Sequence, residues 1–220
     1  MIKPIVVLMT DMDKALESMT FAAKLCFGKE NDTLTKDAQT TLMEKILASK
    51  HFSILEHATA GFYIMDVSRN FTHQFVRHRH MSFAQQSFHY TVAKDKVVPV
   101  APQITSVQEE VMETAFAHAF ASYEELLKMG VPKEEARHVL PSGILTRIYA
   151  TASIREWMQF VTVRACAVNC YEIKAVALEI RKELCKHLSF MEPYLGPTCY
   201  TEGACHEGKK YCGHPWRGLK

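Results

Sequence analysis

No apolar run in the 220-residue chain approaches the ~20 residues needed to span a bilayer, so no membrane segment is expected. The start, Met1-Ile2-Lys3-Pro4-Ile5, lacks the apolar stretch of a signal peptide, and the cytoplasm is the expected compartment. There is almost no excess charge. The 26 Lys and Arg against 24 Asp and Glu leave +2, too little for the broad basic surface of a general nucleic-acid binder. No nucleic-acid partner is therefore expected, and any anion site must be local. Repeats and low-complexity tracts are missing, and so is any Cys-x2-Cys turn. The seven cysteines are an odd number, and Cys26, Cys166, Cys170 and Cys185 fall inside helical or apolar patterns, which fits reduced thiols better than a disulfide scaffold.

What is present has ordinary globular proportions, 48% hydrophobic and 23% charged, at a length that allows a real core. Residues 1–195 read as one domain and residues 196–220 as a Cys/His-rich tail. Short strands alternate with long helices, an α/β pattern. Residues 2–9 read as a buried strand and residues 13–27 as an amphipathic helix that Gly28 can end. A second helix covers 35–49, with Leu42, Ile46 and Leu47 inward. A strand is expected over 58–67, a helix over 70–79, an extended run over 83–90 and a loop over 92–102. A long helix follows over 104–130, with Val111, Ala115, Ala119 and Leu126 among its apolar positions. Pro132 with Glu134 and Glu135 opens another helix, and residues 171–188 form the last long one. Between them, Ser153-Ile154-Arg155-Glu156 has the form of a capping box that starts a helix through Trp157 and Phe160.

The chemistry concentrates in residues 74–90. Arg77, His78, Arg79 and His80 stand in a row, followed by Ser82, Gln85, Gln86, Ser87 and His89, with Phe75, Phe83, Phe88 and Tyr90 threaded between. On an extended chain Gln85, Ser87 and His89 share one face. On a helix Phe71, Phe75 and His78 form a stripe with Gln74 and Arg77 beside it. Guanidinium groups with hydroxyl donors nearby suit a phosphate or an electron-rich heterocycle, because Arg offers planar forked donors and keeps its charge. The competing reading is a solvated basic turn. No Ser-His-Asp arrangement is evident, so Ser87 reads as a binder and not as an acyl-type nucleophile. Arg155 and Gln159, four apart, share a helix face that either holds one ligand or is simply solvated. In the tail, Cys199, Cys205 and Cys212 with His206 or His214 are residue types that zinc takes. Reduced surface thiols and a redox clasp are the alternatives.

The spacing Arg77-His78-Arg79, then Ser82, Ser87 and Tyr90, resembles the signature of flavin-dependent thymidylate synthases. It departs from that signature at Ala84, Gln85 and His89, where Asn, Glu and Arg are usual. A second block resembles the same family without a gap: Ala136-Arg137, Leu140-Pro141, Thr146, Thr151, Arg155, Phe160, Arg164, Glu172 and Ile173. Here Ser153, Val168 and Cys170 depart, standing where Asn, His and Gln are usual. The resemblance covers roughly residues 50–175.

That resemblance implies an α/β (α+β) fold with a central, largely antiparallel sheet packed by long helices. It implies an enzyme that methylates dUMP reductively to dTMP, with 5,10-methylenetetrahydrofolate as carbon donor, FAD as hydride carrier and NADPH as reductant, in a homotetramer whose sites lie between subunits. Residue by residue, Arg164 is the implied catalytic group, close to the uracil ring. His57, Thr59, Arg77, His78, Arg79, Gln85, Ser153, Ile154, Arg155 and Gln159 are implied to hold FAD. Gln74, Arg77, Gln85, Gln86, Ser87, Phe88, His89, Arg137 and Arg164 are implied to hold dUMP, with Ser87 and Arg137 near its phosphate. The altered substrate positions leave two alternatives: a relative that methylates another pyrimidine nucleotide such as UMP, and a non-catalytic metal-binding or interaction protein working through its tail.

Overall fold

A computed structural model describes residues 3–94, 101–213 and Trp216. In chain order these form β1 (Ile5–Leu8), α1 (Met12–Leu25), α2 (Lys36–Ala48), β2 (Thr59–Ser68), α3 (Arg69–Phe75) and β3 (Ser82–Gln85), then α4 (Ser106–Lys128), the single turn α5 (Lys133–Ala136), β4 (Leu145–Ser153), α6 (Ile154–Arg164), α7 (Tyr171–His187) and α8 (Thr198–Thr201). The expected α/β architecture is present. The strands form one sheet in the order β1-β2-β4-β3, and every pairing is antiparallel.

Alternation decides which face of the sheet is covered. Phe62 and Ile64 on β2 and Ile148, Ala150 and Ala152 on β4 are buried against Trp157, Phe160 and Val161 of α6 and Ile173, Val176 and Ile180 of α7. Tyr149, Ile5 and Val7 point the other way and are exposed, so among the described residues one sheet face carries the helices and the other is bare. Between Ile64 and Val67 the β2–β4 register slips, and Asp66 sits there at φ 56°, a left-handed backbone that a short polar side chain tolerates. Gly61 permits a close approach: a Cβ on it would meet the Tyr149 hydroxyl at 2.1 Å.

Caps mark several helix starts. The Thr35 hydroxyl accepts from the Ala38 N–H, and Ser153 accepts from the Glu156 N–H. The capping box expected at Ser153 is present in that half only, because the Glu156 carboxylate faces His78 instead. A reciprocal box, Thr105 with Gln108, opens α4. The apolar positions of α4 divide between surface and interior. Val111 and Ala115 are exposed, and Phe116, Phe120 and Tyr123 bury into a second core with Phe88, Ala93, Ala136 and Ile144, because aromatic bulk outcompetes the smaller positions for this interior. Two expected elements end early. The helix of 70–79 stops at Phe75, and the extended run of 83–90 stops at Gln85. The strand start expected at Ile2, part of the 92–102 loop and His214 lie outside the described residues.

Candidate active site

The site is built outward from the end of β2. Ser68 caps α3, its hydroxyl accepting from the Phe71 N–H, and both its hydroxyl and its backbone N–H donate to the Glu172 carboxylate of α7. Burial raises Glu172 above the usual carboxylate range, which those donors partly offset. Thus anchored, α3 drives Phe71 and Phe75 into the core and delivers His78 onto the edge of Phe160, with ring centroids 5.0 Å apart.

His78 meets Arg164 there. The Arg164 Nε–H donates to His78 Nε2 at 3.0 Å, and an Nη1–H donates to Asn169 Oδ1 at 3.3 Å. The Asn169 amide in turn donates to the carbonyls of Val163 and Cys166. To accept from Arg164 the imidazole must be neutral and carry its proton on Nδ1, which faces Glu156 Oε1 at 3.8 Å. Burial first, and the Arg164 charge second, push His78 from 6.5 down to about 4. Arg164 also sits in the last turn of α6, where the helix dipole favours a cation.

The depressed His78 value has a stability consequence. The unfolded chain binds this proton at higher pH than the folded one, so the contribution is fully present above about 6.5 and is lost as pH falls from 6.5 through about 4. Urea denaturation at pH 7 and pH 5 should show wild type losing more stability than His78→Gln over that interval. Equal losses would remove His78 as the source.

At the other edge, β3 pairs with β4 from Ser82↔Thr151 to Gln85↔Ile148, and the Gln86 N–H still reaches the Arg147 carbonyl. The chain then turns. The Ser87 carbonyl accepts from the N–H groups of Tyr90 and Thr91, and Ser87 Oγ accepts from the His89 N–H. Gln85, Ser87 and His89 therefore do not line one strand face. Phe88 causes the departure: its ring buries in the second core under the Arg69 guanidinium, 4.9 Å from the ring centroid. Of the residues matched to substrate contacts, Phe88 thus has its side chain in the core.

Gln85 Nε2 donates to Thr72 Oγ1 at 3.0 Å, on the wall of an open cleft of about 390 Å³ that also holds Arg69 and His73. Burial, and then the charge of Arg137, lower the Arg69 pKa. Two guanidinium groups therefore repel each other beside this cleft. A larger cleft of about 570 Å³ runs between α3, α4 and α7, where Gln74 Nε2 faces Cys170 Sγ at 3.8 Å.

The opposite end of the sheet gathers a different set. The 3-10 turn Phe52–His57 leads into β2, whose first residue Thr59 pairs with Ser153, the last of β4. His57 and Thr59 are thereby brought beside Ser153 and Arg155, about a hundred positions away in sequence, and Arg155 Nη1 bonds Glu56 Oε1 at 2.7 Å. Arg77, Arg79 and Gln159 are exposed. Ile154, matched to a cofactor contact, has its side chain fully buried and its N–H on the Ala58 carbonyl, so its side chain is core.

A family profile described as "Thymidylate synthase complementing protein" (Thy1) matches residues 7–188. The chain belongs to the Thy1 family. It is 34% identical over 205 residues to the flavin-dependent thymidylate synthase of Geobacter sulfurreducens, covering 89% of this chain and 88% of that protein. Proteins of the same description from Pyrococcus abyssi and Thermococcus onnurineus are each 35% identical, over 210 and 213 residues, covering 88% and 89% of this chain and 86% of each relative. The chain is thus an enzyme of that family. No helix among the described residues is long and apolar enough to cross a membrane.

Sequence reasoning did not single out Arg69 or Asn169. Ser68, three residues before Phe71, is an N-cap signal that would have placed Arg69 in the first turn of α3. In the tail, the imidazole of His206 faces the Glu202 carboxylate at 2.9 Å. No group of three or more His, Cys, Asp or Glu side chains is assembled to hold a metal ion among the described residues. Cys199, Cys205 and Cys212 nevertheless share the lining of one cavity of about 120 Å³ with Cys166. Burial pushes the Cys166 thiol up, with Glu207, Cys199 and Cys212 adding to the rise and the Val168 backbone opposing it.

Proposed function

We propose that this chain converts dUMP to dTMP, taking a one-carbon unit from methylenetetrahydrofolate, with NADPH as the reductant. The observation that carries this reading is Arg164, held by a neutral histidine and an asparagine with other guanidinium N–H groups still available. A guanidinium so fixed stabilises negative charge developing on an ionised uracil ring without reorganising, the same contribution as an oxyanion hole. Since His78 is neutral, it orients Arg164 without competing for the anion.

Arg137 and Arg69, which repel each other as a bare pair, gain most from a dianionic phosphate between them. Arg69 in this role compensates for His89, where Arg is usual. Gln85 and Gln86, both hydrogen-bonded in place, suit neutral ring or ribose groups. The hydroxyl, imidazole and guanidinium groups of Thr59, His57, Arg77, Arg79 and Arg155 suit FAD, a ligand with two phosphates and a polar heterocycle, and bound flavin supplies the hydride. Thr59 and Ser153 of the flavin set lie at one end of β4 and Gln85 of the substrate set near the other, where Ile148 and Ser153 are about 17 Å apart along the strand, while His78 joins the two sets at Arg164. A second copy bringing its own set to this one, against the bare sheet face, completes the site in a homotetramer.

Flavin fluorescence should be quenched on titrating FAD into purified protein, light scattering should read a tetramer, and NADPH oxidation should depend on dUMP and folate. A monomer that leaves flavin fluorescence unchanged would sink the proposal. Turnover with UMP in place of dUMP would transfer it to the other nucleotide.

A further inference from the structure

We propose that Cys166, Cys199, Cys205 and Cys212 are the four thiolate ligands of a structural zinc ion that pins the tail to the loop behind Arg164. All four line the same small cavity between the α6–α7 junction and the tail. Three come from one stretch of sequence, and the fourth arrives from more than thirty positions away, directly after α6. Zinc takes four sulfurs at about 2.3 Å in a tetrahedron, and a closed all-protein set is the mark of a structural site.

Of the two candidate histidines, His214 lies outside the described residues and His206 is turned elsewhere. His206 Nε2 faces Glu202, four residues back on the exposed surface. The Trp216 backbone N–H donates to Cys199 Sγ at 3.4 Å, which places this sulfur on the tail side of the cavity. Four thiolates on a divalent cation leave two negative charges. Lys174 lines the same cavity and offsets them, while Glu207, also on the lining, opposes it. The sulfurs are not yet gathered into a metal site, so the ion must draw them together, and its binding energy becomes folding energy of the tail.

Arg181, buried in α7, donates to the Leu195 carbonyl at 2.7 Å and lies beneath the rings of Tyr200 and Trp216. Gly196 accommodates this packing, since a Cβ there would meet Trp216 at 2.2 Å. Zinc at the four thiolates adds a covalent-strength tie on the far side of that contact. The Cys166 carbonyl is also an acceptor for the Asn169 amide that holds Arg164, so the ion fixes the loop from which Arg164 is oriented.

The test reads metal and not turnover, so its failure is distinguishable from failure of the proposed reaction. Untagged protein, purified with reductant, should contain one zinc per chain by elemental analysis. Cobalt(II) reconstitution without oxygen should give the intense sulfur-to-metal absorption of a tetrahedral four-thiolate site. Cadmium-113 resonance of the substituted wild type counts the sulfur ligands without any variant, which keeps the proposal testable should Cys166→Ser not fold. In the folded variant, metal affinity should fall at least about tenfold, while His206→Ala should leave it unchanged. Protein that takes up no cobalt, a three-sulfur cadmium signal, undiminished affinity in Cys166→Ser, or a disulfide among these cysteines in reduced preparations would each overturn it.

Discussion

Arg164→Ala is expected to lower the rate of dTMP formation on the order of 10²-fold or more, the loss typical of one preorganised oxyanion-type donor. The protein should still fold. Arg164 ends α6, is half-buried, and its guanidinium bonds the side chains of His78 and Asn169, so its removal leaves the core packing of α6 in place. Arg164→Lys should fall between wild type and Ala, because the ammonium keeps the charge but cannot donate to His78 and the ring through one rigid fork. A second readout separates charge stabilisation from packing. Burial is the main cause of the low His78 value and Arg164 the second, so the His78 titration followed by NMR should move up from about 4 in Arg164→Ala yet stay below 6.5. A variant that forms dTMP at near-normal rate would transfer the catalytic role elsewhere.

Trp157→Ala should cost about 3–5 kcal/mol of unfolding free energy, the range for deleting a large buried aromatic. Trp157 is fully buried, its ring lies edge-on to Phe62 at 4.9 Å, and it also contacts Phe75 and Phe160. Its indole N–H donates to the Ala60 carbonyl at 2.9 Å, tying α6 to β2. Trp157→Phe should cost less: it keeps most of the apolar contact and gives up one side-chain hydrogen bond, worth about 0.5–1.5 kcal/mol, while the Ala60 carbonyl keeps its ladder partner Ala152. Urea denaturation of the three proteins decides the order. If Phe destabilises as much as Ala, the hydrogen bond outweighs the packing.

Much of this arrangement was legible from local signals. Ser153 announced its helix as a capping residue, Gly28 and Gly130 marked helix ends, and the strand-favouring residue content of 58–67 marked β2. The two sets of matched residues, His57 with Thr59 and Ser153 with Arg155, were legible only through the family resemblance, since nothing in either stretch reports that Thr59 pairs with Ser153. What stayed hidden depends on contacts between distant parts of the chain. The break after Gln85 follows from Phe88 finding room among Phe116, Phe120 and Tyr123, a partnership no window around residue 88 contains. Which apolar positions of α4 turn inward was hidden for the same reason, because periodicity gives a helix several faces and only the partner selects one. Arg69 and Cys166 were invisible as site residues because their chemistry rests on neighbours, Arg137 in one case and the tail thiols in the other.

The chain's two tryptophans stand in unlike places, one sealed beneath the sheet against Phe62 and the other on Tyr200 over a buried arginine. Their emission therefore divides by colour. Indole light from the dry interior is blue-shifted and reports the main core, while the half-exposed indole of Trp216 emits further to the red and, with a cation beside its ring, reports whether the last segment is docked. An optical melting curve recorded at two wavelengths would follow detachment of the tail and collapse of the core as separate events, with no label attached.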